Sequence, residues 1–179
     1  MESHNEFKVP VLGFAAYYGT GKTTLLVKLL PLMKLQGLRV AMIKQTHHDF
    51  EIDKPGKDSY ELRMAGADQM LIASKYRWAL ITENSNNDEE VSLNDLLKNL
   101  NQNQLDLILV EGFKFENFPK IELFRDGNNR TPLAAYEADN IAIATDPLCD
   151  IDDKIPQLDL NDPEIILKFI IQHFNLSLN

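Results

Sequence analysis

Cysteine is nearly absent. Cys149 stands alone among 179 residues, so no intrachain disulfide can form, which fits a reducing compartment. No apolar run reaches the roughly 18 residues that a membrane helix needs. The opening Met-Glu-Ser-His-Asn-Glu lacks the basic-then-apolar profile of a signal peptide. The expectation is a cytoplasmic protein with no membrane partner. Positive charge is also scarce: 18 Lys and Arg against 27 Asp and Glu give a formal net charge of -9. Broad binding to DNA or RNA draws its affinity from neutralising phosphates with Lys and Arg, so nucleic acid is excluded as a partner. A single small anion remains compatible, because one site needs only a few cations and backbone amides within an acidic whole.

The 44% hydrophobic and 25% charged fractions are those of an ordinary globular chain, and the length suits one domain over residues 1–179. Val9 to Ala15 is an apolar run ending in a Gly-rich turn. Lys22 to Gln36 follows, with Leu25, Leu26, Leu29, Leu32 and Met33 at helical spacing. Gly37 closes that helix, and Arg39 to Lys44 reads as a second, parallel strand. Gln45 to Lys57 has no periodicity and is expected to be a specialised loop, with a helix starting near Asp58 as its N-cap. Ala67 to Ala73 and Trp78 to Thr82 read as an antiparallel hairpin contributing to a mixed sheet. After a polar loop over Glu83 to Glu90, Ser92 to Leu100 carries its leucines on one helical face. Strands are expected at Leu105 to Val110, Lys120 to Arg125 and Asn140 to Thr145, and a last helix from Asp162 to about Phe174. The alternation is that of an α/β fold with no internal repeat or interdomain linker.

Ala-Tyr-Tyr-Gly-Thr-Gly-Lys-Thr at 16 to 23 matches the phosphate-binding loop at all but its first position, where Ala16 replaces Gly. A strand delivers it and a helix leaves it, so backbone N–H groups and a helix N-terminus can face a triphosphate. In that arrangement Gly19, Thr20 and Gly21 shape the cradle. Lys22 reaches the outer phosphates, Thr23 holds Mg²⁺ through its hydroxyl, and Thr24 adds an inner phosphate contact. The fold class is thus a P-loop NTPase-like three-layer α/β fold, its sheet mostly parallel with an antiparallel hairpin. Such a site needs a carboxylate at the C-terminal end of a neighbouring strand. Glu111, followed by Gly112, fits better than Asp106, which begins the same strand at the far end. His47, His48 and Asp49 follow the second strand, where His48 and Asp49 can face the phosphates or the metal. Lys54 and Lys57 bracket Pro-Gly as anion contacts or as a solvated loop.

Several runs together resemble the molybdopterin-guanine dinucleotide biosynthesis adapter family, MobB. They are Gly-Thr-Gly-Lys-Thr-Thr-Leu-Leu at 19 to 26, Thr-His-His-Asp at 46 to 49, Asp-Lys-Pro-Gly-Lys-Asp-Ser-Tyr at 53 to 60 and Arg-Met-Ala-Gly-Ala at 63 to 67. Arg-Trp-Ala-Leu at 77 to 80, Leu-Val-Glu-Gly-Phe-Lys at 109 to 114 and Leu-Phe-Arg-Asp-Gly at 123 to 127 complete the set. The resemblance implies a GTP-binding accessory with weak GTPase activity that assists the molybdenum cofactor guanylyltransferase and presents nucleotide or molybdopterin. It also implies a homodimer through strand association, with the hairpin as the candidate. This chain has Gln45 where the family usually has His, and Tyr18 where it usually has Ser.

The usual Asn-Lys-x-Asp base-reading run is missing, so guanine specificity comes from the resemblance alone. Asp146, just past a strand, is a chemically sensible acceptor for a guanine amino group, and an Asp-Pro turn accounts for it equally well. A small-molecule kinase would use the same loop, but Arg39, Arg63, Arg77, Arg125 and Arg130 are scattered rather than gathered in a lid. A metallochaperone GTPase would rest on His47, His48 and Asp49. No glutamine or arginine stands out as a water-positioning group, so hydrolysis is expected to be slow.

Overall fold

The computed structural model describes residues 8–46, 50–84, 91–125, 131–132, 138–146 and 155–178. They form two compact units: a large one from residues 1–45 and 93–179, and a small one from 46–92.

The large unit is built on six parallel strands: β1 (Val11–Ala16), β2 (Val40–Lys44), β5 (Leu107–Glu111), β6 (Lys120–Phe124), β7 (Asn140–Thr145) and β8 (Gln157–Asp159). Their spatial order is β2-β5-β1-β6-β7-β8. Alternate side chains go to opposite faces, as the two-residue period of a strand requires. Leu12, Phe14, Leu109, Ile121 and Leu123 face one core cluster, shared with Leu25, Leu29 and Met33 of α1 (Lys22–Leu35) and Ile166 and Ile170 of α4 (Pro163–Phe174). Val11, Ile43, Ile108 and Val110 face the other, with Leu93 and Leu97 of α3 (Leu93–Lys98). Helix, sheet and helix make the three layers. Each fully buried Leu or Ile contributes about 1.5–3 kcal/mol.

Both long helices end as the sequence suggests. Gly37 takes φ 79°, its N–H donating to the Lys34 carbonyl, while the Leu38 N–H donates to that of Met33. This 6→1 closure is the Schellman pattern. Asp162 caps α4, accepting from the amides of Glu164 and Ile165 at 3.0 and 3.2 Å.

The small unit holds α2 (Asp58–Met64) and the antiparallel pair β3 (Gln69–Ala73) and β4 (Trp78–Thr82). Three expectations are corrected here. The hairpin is a separate two-stranded sheet, so the main sheet is wholly parallel rather than mixed. Asp58 is the first helical residue; the cap position belongs to Lys57, in extended conformation and without a side-chain bond. Strand β8 was not foreseen.

Candidate functional site

Strand β1 feeds the loop from Tyr17 to Gly21, and α1 leaves it at Lys22. Gly19 and Gly21 take φ of 83° and 100°, where a Cβ would be strained, and nothing lies within 4 Å of where one would sit. The cradle is therefore open on those sides. Thr20 is buried, its hydroxyl donating to the Tyr17 carbonyl at 2.8 Å and pinning the turn. Gly21 occupies the N-cap of α1 and offers no side chain to cap the first amides, and the first turn carries no acid. Amides that no side chain satisfies, at the positive end of a helix macrodipole, make an anion site. Thr23 and Thr24 lie in that first turn. Tyr18 is fully exposed, and the Tyr17 hydroxyl donates to the Thr131 carbonyl at 3.4 Å.

The parallel register sets Glu111 level with Phe14 on β1 and Lys44 on β2, at the sheet edge from which the loop emerges. Its side chain is 14% exposed and meets two ammonium groups: Lys22 Nζ lies 3.4 Å from one oxygen and Lys44 Nζ 3.5 Å from the other. Asp106 sits at the opposite end of β5. It is paired with Arg39 at 2.7 Å, and the hydrogen bond from Arg39 holds its carboxyl below the usual range.

Gln45, noted in the sequence only as a departure from the family's usual His, is given no role there. Its N–H donates to the Glu111 carbonyl at 2.8 Å, and its Oε1 accepts from the Phe113 amide at 2.7 Å. Gly112, between them, has φ 102°, and a Cβ there would come within 2.5 Å of Gln45 Cβ. The end of β2 thus grips the turn that carries Glu111. The Glu-Gly pair was the one visible signal.

A third group gathers where β6, β7 and β8 end. Arg125 donates from Nε to the Thr20 carbonyl at 3.3 Å, from Nη1 to Asp146 at 2.9 Å and from Nη2 to Asn161 at 3.2 Å. Hydrogen bonds from Asn161 and Arg125 hold the Asp146 carboxyl below its ordinary range. Asp146 is thus joined to the loop from Tyr17 to Gly21 through one arginine.

In the small unit, Arg63 is gripped by Glu51, by Asp53 at 3.0 Å and by Glu83 at 2.6 Å. The bonds to Glu83 and Asp53 raise its already high pKa. Lys54 and Lys57 flank a turn in which Gly56 takes φ 81°, and both are exposed. His47, His48 and Asp49 lie outside the described residues.

The model of the MobB family, molybdopterin guanine dinucleotide synthesis protein B, matches residues 11–146. The chain is 49% identical over 165 residues to the molybdopterin-guanine dinucleotide biosynthesis adapter protein of Escherichia coli (strain K12), covering 92% of this chain and 93% of that one. It is 40% identical to the protein of the same name from Haemophilus influenzae, over 94% of this chain and 93% of that one. Its fold superimposes on the crystal structure of Bacillus subtilis MobB with a TM-score of 0.72 at 24% identity, over 94% of this chain and 98% of that one. The MobB homologue of Bacillus stearothermophilus gives 0.69 at 22% identity, over 92% and 97%. The chain belongs to the MobB family, the adapter proteins of molybdopterin guanine dinucleotide biosynthesis.

Proposed function

We propose that the loop from Ala16 to Thr23 binds GTP with Mg²⁺, and that the protein assists the guanylyltransferase that attaches GMP to molybdopterin, hydrolysing its own nucleotide only slowly. The observation that carries this reading is one carboxylate, Glu111, set against two lysines, Lys22 and Lys44, in the unit that also holds an uncapped helix start. Two cations around one anion leave a surplus of positive charge, as a phosphate site requires. Lys22 would turn to the outer phosphates, leaving one Glu111 oxygen for the metal while Lys44 holds the other. Thr23 and Glu111 supply hard oxygen donors, which suits Mg²⁺. The bound ion would neutralise charge between the phosphate oxygens. Gly19, Thr20, Gly21 and Thr24 line the phosphates with backbone amides, and Asp146 faces the base.

Slow turnover follows from where the arginines are spent. Arg39 is held by Asp106, Arg63 by its acids, and Arg125 by Asp146 and Asn161. Each of these three is already committed to an ion pair and none is gathered with the others, whereas phosphoryl transfer draws on arginines brought together on the transferring group, which counts against a kinase. We assign both units to one nucleotide-binding domain, with the small one inserted between β2 and α3. The hairpin is its homodimer surface: Leu71, Trp78 and Leu80 are exposed on one face of β3 and β4.

The test is a Mg²⁺-dependent titration with a fluorescent GTP analogue, competed by ATP, followed by co-purification with the guanylyltransferase. GTP displaces the probe at lower concentration than ATP, and the two proteins associate. Preference for ATP, or no association under any nucleotide condition, overturns the reading.

A further inference from the structure

Arg125 is spread over three partners that belong to different parts of the large unit. It touches the phosphate loop through the Thr20 carbonyl, the end of β7 through Asp146 and the segment after β8 through Asn161. A guanidinium carries one N–H on Nε and two on each Nη. The contacts to Thr20, Asp146 and Asn161 use one from each nitrogen, so among the described residues each Nη keeps one N–H for a ligand. The Arg125 and Asp146 side chains are 44% and 41% exposed, so the pair is open to solvent along one edge.

That edge has a definite pattern. Arg125 Nη1 and Asp146 Oδ2 lie 2.9 Å apart, which sets a donor beside the acceptors of a carboxylate that its partners keep ionised. Guanine offers the complement in order: the O6 acceptor, the N1–H donor and the N2 amino donor. Adenine offers an amino donor toward Arg125 and an N1 acceptor toward Asp146, so both positions are repulsive. An exposed surface ion pair alone contributes little to stability. A cross-link of that kind also has no need to reach the carbonyl of the phosphate loop.

We propose that Arg125 and Asp146 together read the base as guanine, and that Arg125, by holding the Thr20 carbonyl, fixes the base-reading edge at a set distance from the phosphate loop. The proposal rests on the assignment of the P-loop as a GTP site. It explains how the chain selects guanine without an Asn-Lys-x-Asp run: the donor and the acceptor come from the ends of adjacent strands β6 and β7. Their level is set by the parallel register Phe124 to Thr145.

The experiment titrates the full-length protein with GTP, ITP, XTP, ATP and inorganic tripolyphosphate, each with Mg²⁺, by calorimetry. Wild type, Asp146→Asn, Arg125→Gln and Arg125→Lys are compared, with circular dichroism to confirm folding. Wild type binds GTP about ten- to a hundredfold more tightly than XTP or ATP, with ITP between. Asp146→Asn, which is isosteric, reverses the GTP-to-XTP order, because an amide N–H meets the xanthine O2. Arg125→Gln lowers the GTP-to-ATP ratio about tenfold or more and moves tripolyphosphate affinity no more than a few-fold. Arg125→Lys restores the charge without the fork and recovers only part of the ratio. If Arg125→Gln weakens GTP, ATP and tripolyphosphate equally, Arg125 only props the loop and the proposal fails. It fails also if Asp146→Asn leaves the GTP-to-XTP order unchanged. If wild type itself binds ATP as tightly as GTP, the GTP assignment beneath it has failed, which is a separate result.

Discussion

In the large unit Leu12, Leu109, Ile121 and Ile170 are fully buried between layers, whereas in the small unit the one buried residue among those described is a charged one, Asp53. The large unit has a sheet covered on both faces, and its stability comes from removing apolar area from water. The small unit has a short helix and a two-stranded ribbon, an arrangement that is marginal alone. It is organised around a guanidinium, Arg63, bonded to Glu51, Asp53 and Glu83 and placed 5.3 Å from the centre of the Tyr60 ring. Its larger apolar side chains Phe50, Ile52, Leu62, Met64, Leu71 and Trp78 are exposed. The difference suits a division of labour in which the large unit holds the nucleotide in a fixed cradle and the small one offers surface to a second protein chain.

The largest effect that separates the two comes from the core. Leu109→Ala destabilises the protein by about 2–5 kcal/mol, read by chemical denaturation, because a close-packed site cannot collapse around the lost methyls. Leu71→Ala stays within about 0.5 kcal/mol in the same assay under conditions where the protein is monomeric. Equal losses at the two positions would remove the contrast.

Next in size is Arg63→Ala. It leaves the Asp53 carboxylate buried without its cation, so amide exchange protection is lost across residues 50–84 while β1, β5 and nucleotide binding are unchanged. Arg63→Lys does not restore protection, since a point charge cannot serve Glu51, Asp53 and Glu83 as a planar fork does. Global unfolding by Arg63→Ala would mean that the small unit has no independent organisation. The smallest effect on folding belongs to Leu71→Lys, a change on an exposed strand face. On the proposed homodimer it shifts the sedimentation of the protein from dimer to monomer with its melting temperature nearly constant, and an unchanged dimer would place the interface elsewhere.

Much of the large unit was legible in the sequence for a local reason. The run from Val9 to Met33 carries strand, loop and helix signals within a few turns of chain, and the Gly37 stop announces itself at a single position, while Asp162, read as the start of the last helix, is its N-cap. Strand β8 was missed because Gln157–Asp159 is only 3 residues long and is followed by Leu160, Asn161 and Asp162 with no sustained alternation. The separation of the hairpin from the main sheet depends on which edges pair, and that is decided far from β3 and β4 in sequence. The same holds at the site. Gly19 to Thr24 is a contiguous motif, but Gln45 against Phe113, and Arg125 against Thr20, Asp146 and Asn161, join residues 21 to 105 positions apart. Arg125 lies in the run 123–127 that carries the resemblance and Gln45 departs from the family's usual His, but neither has a local pattern that names its partners.

The most direct test of the central claim is calorimetric titration of GTP with Mg²⁺ into Lys22→Ala beside wild type, with circular dichroism to show that the variant folds. In the proposed site Lys22 supplies a charge-assisted contact to the outer phosphates, so its loss weakens binding by about a hundredfold or more. A folded Lys22→Ala protein that binds GTP as tightly as wild type would contradict the assignment of this loop as the nucleotide site.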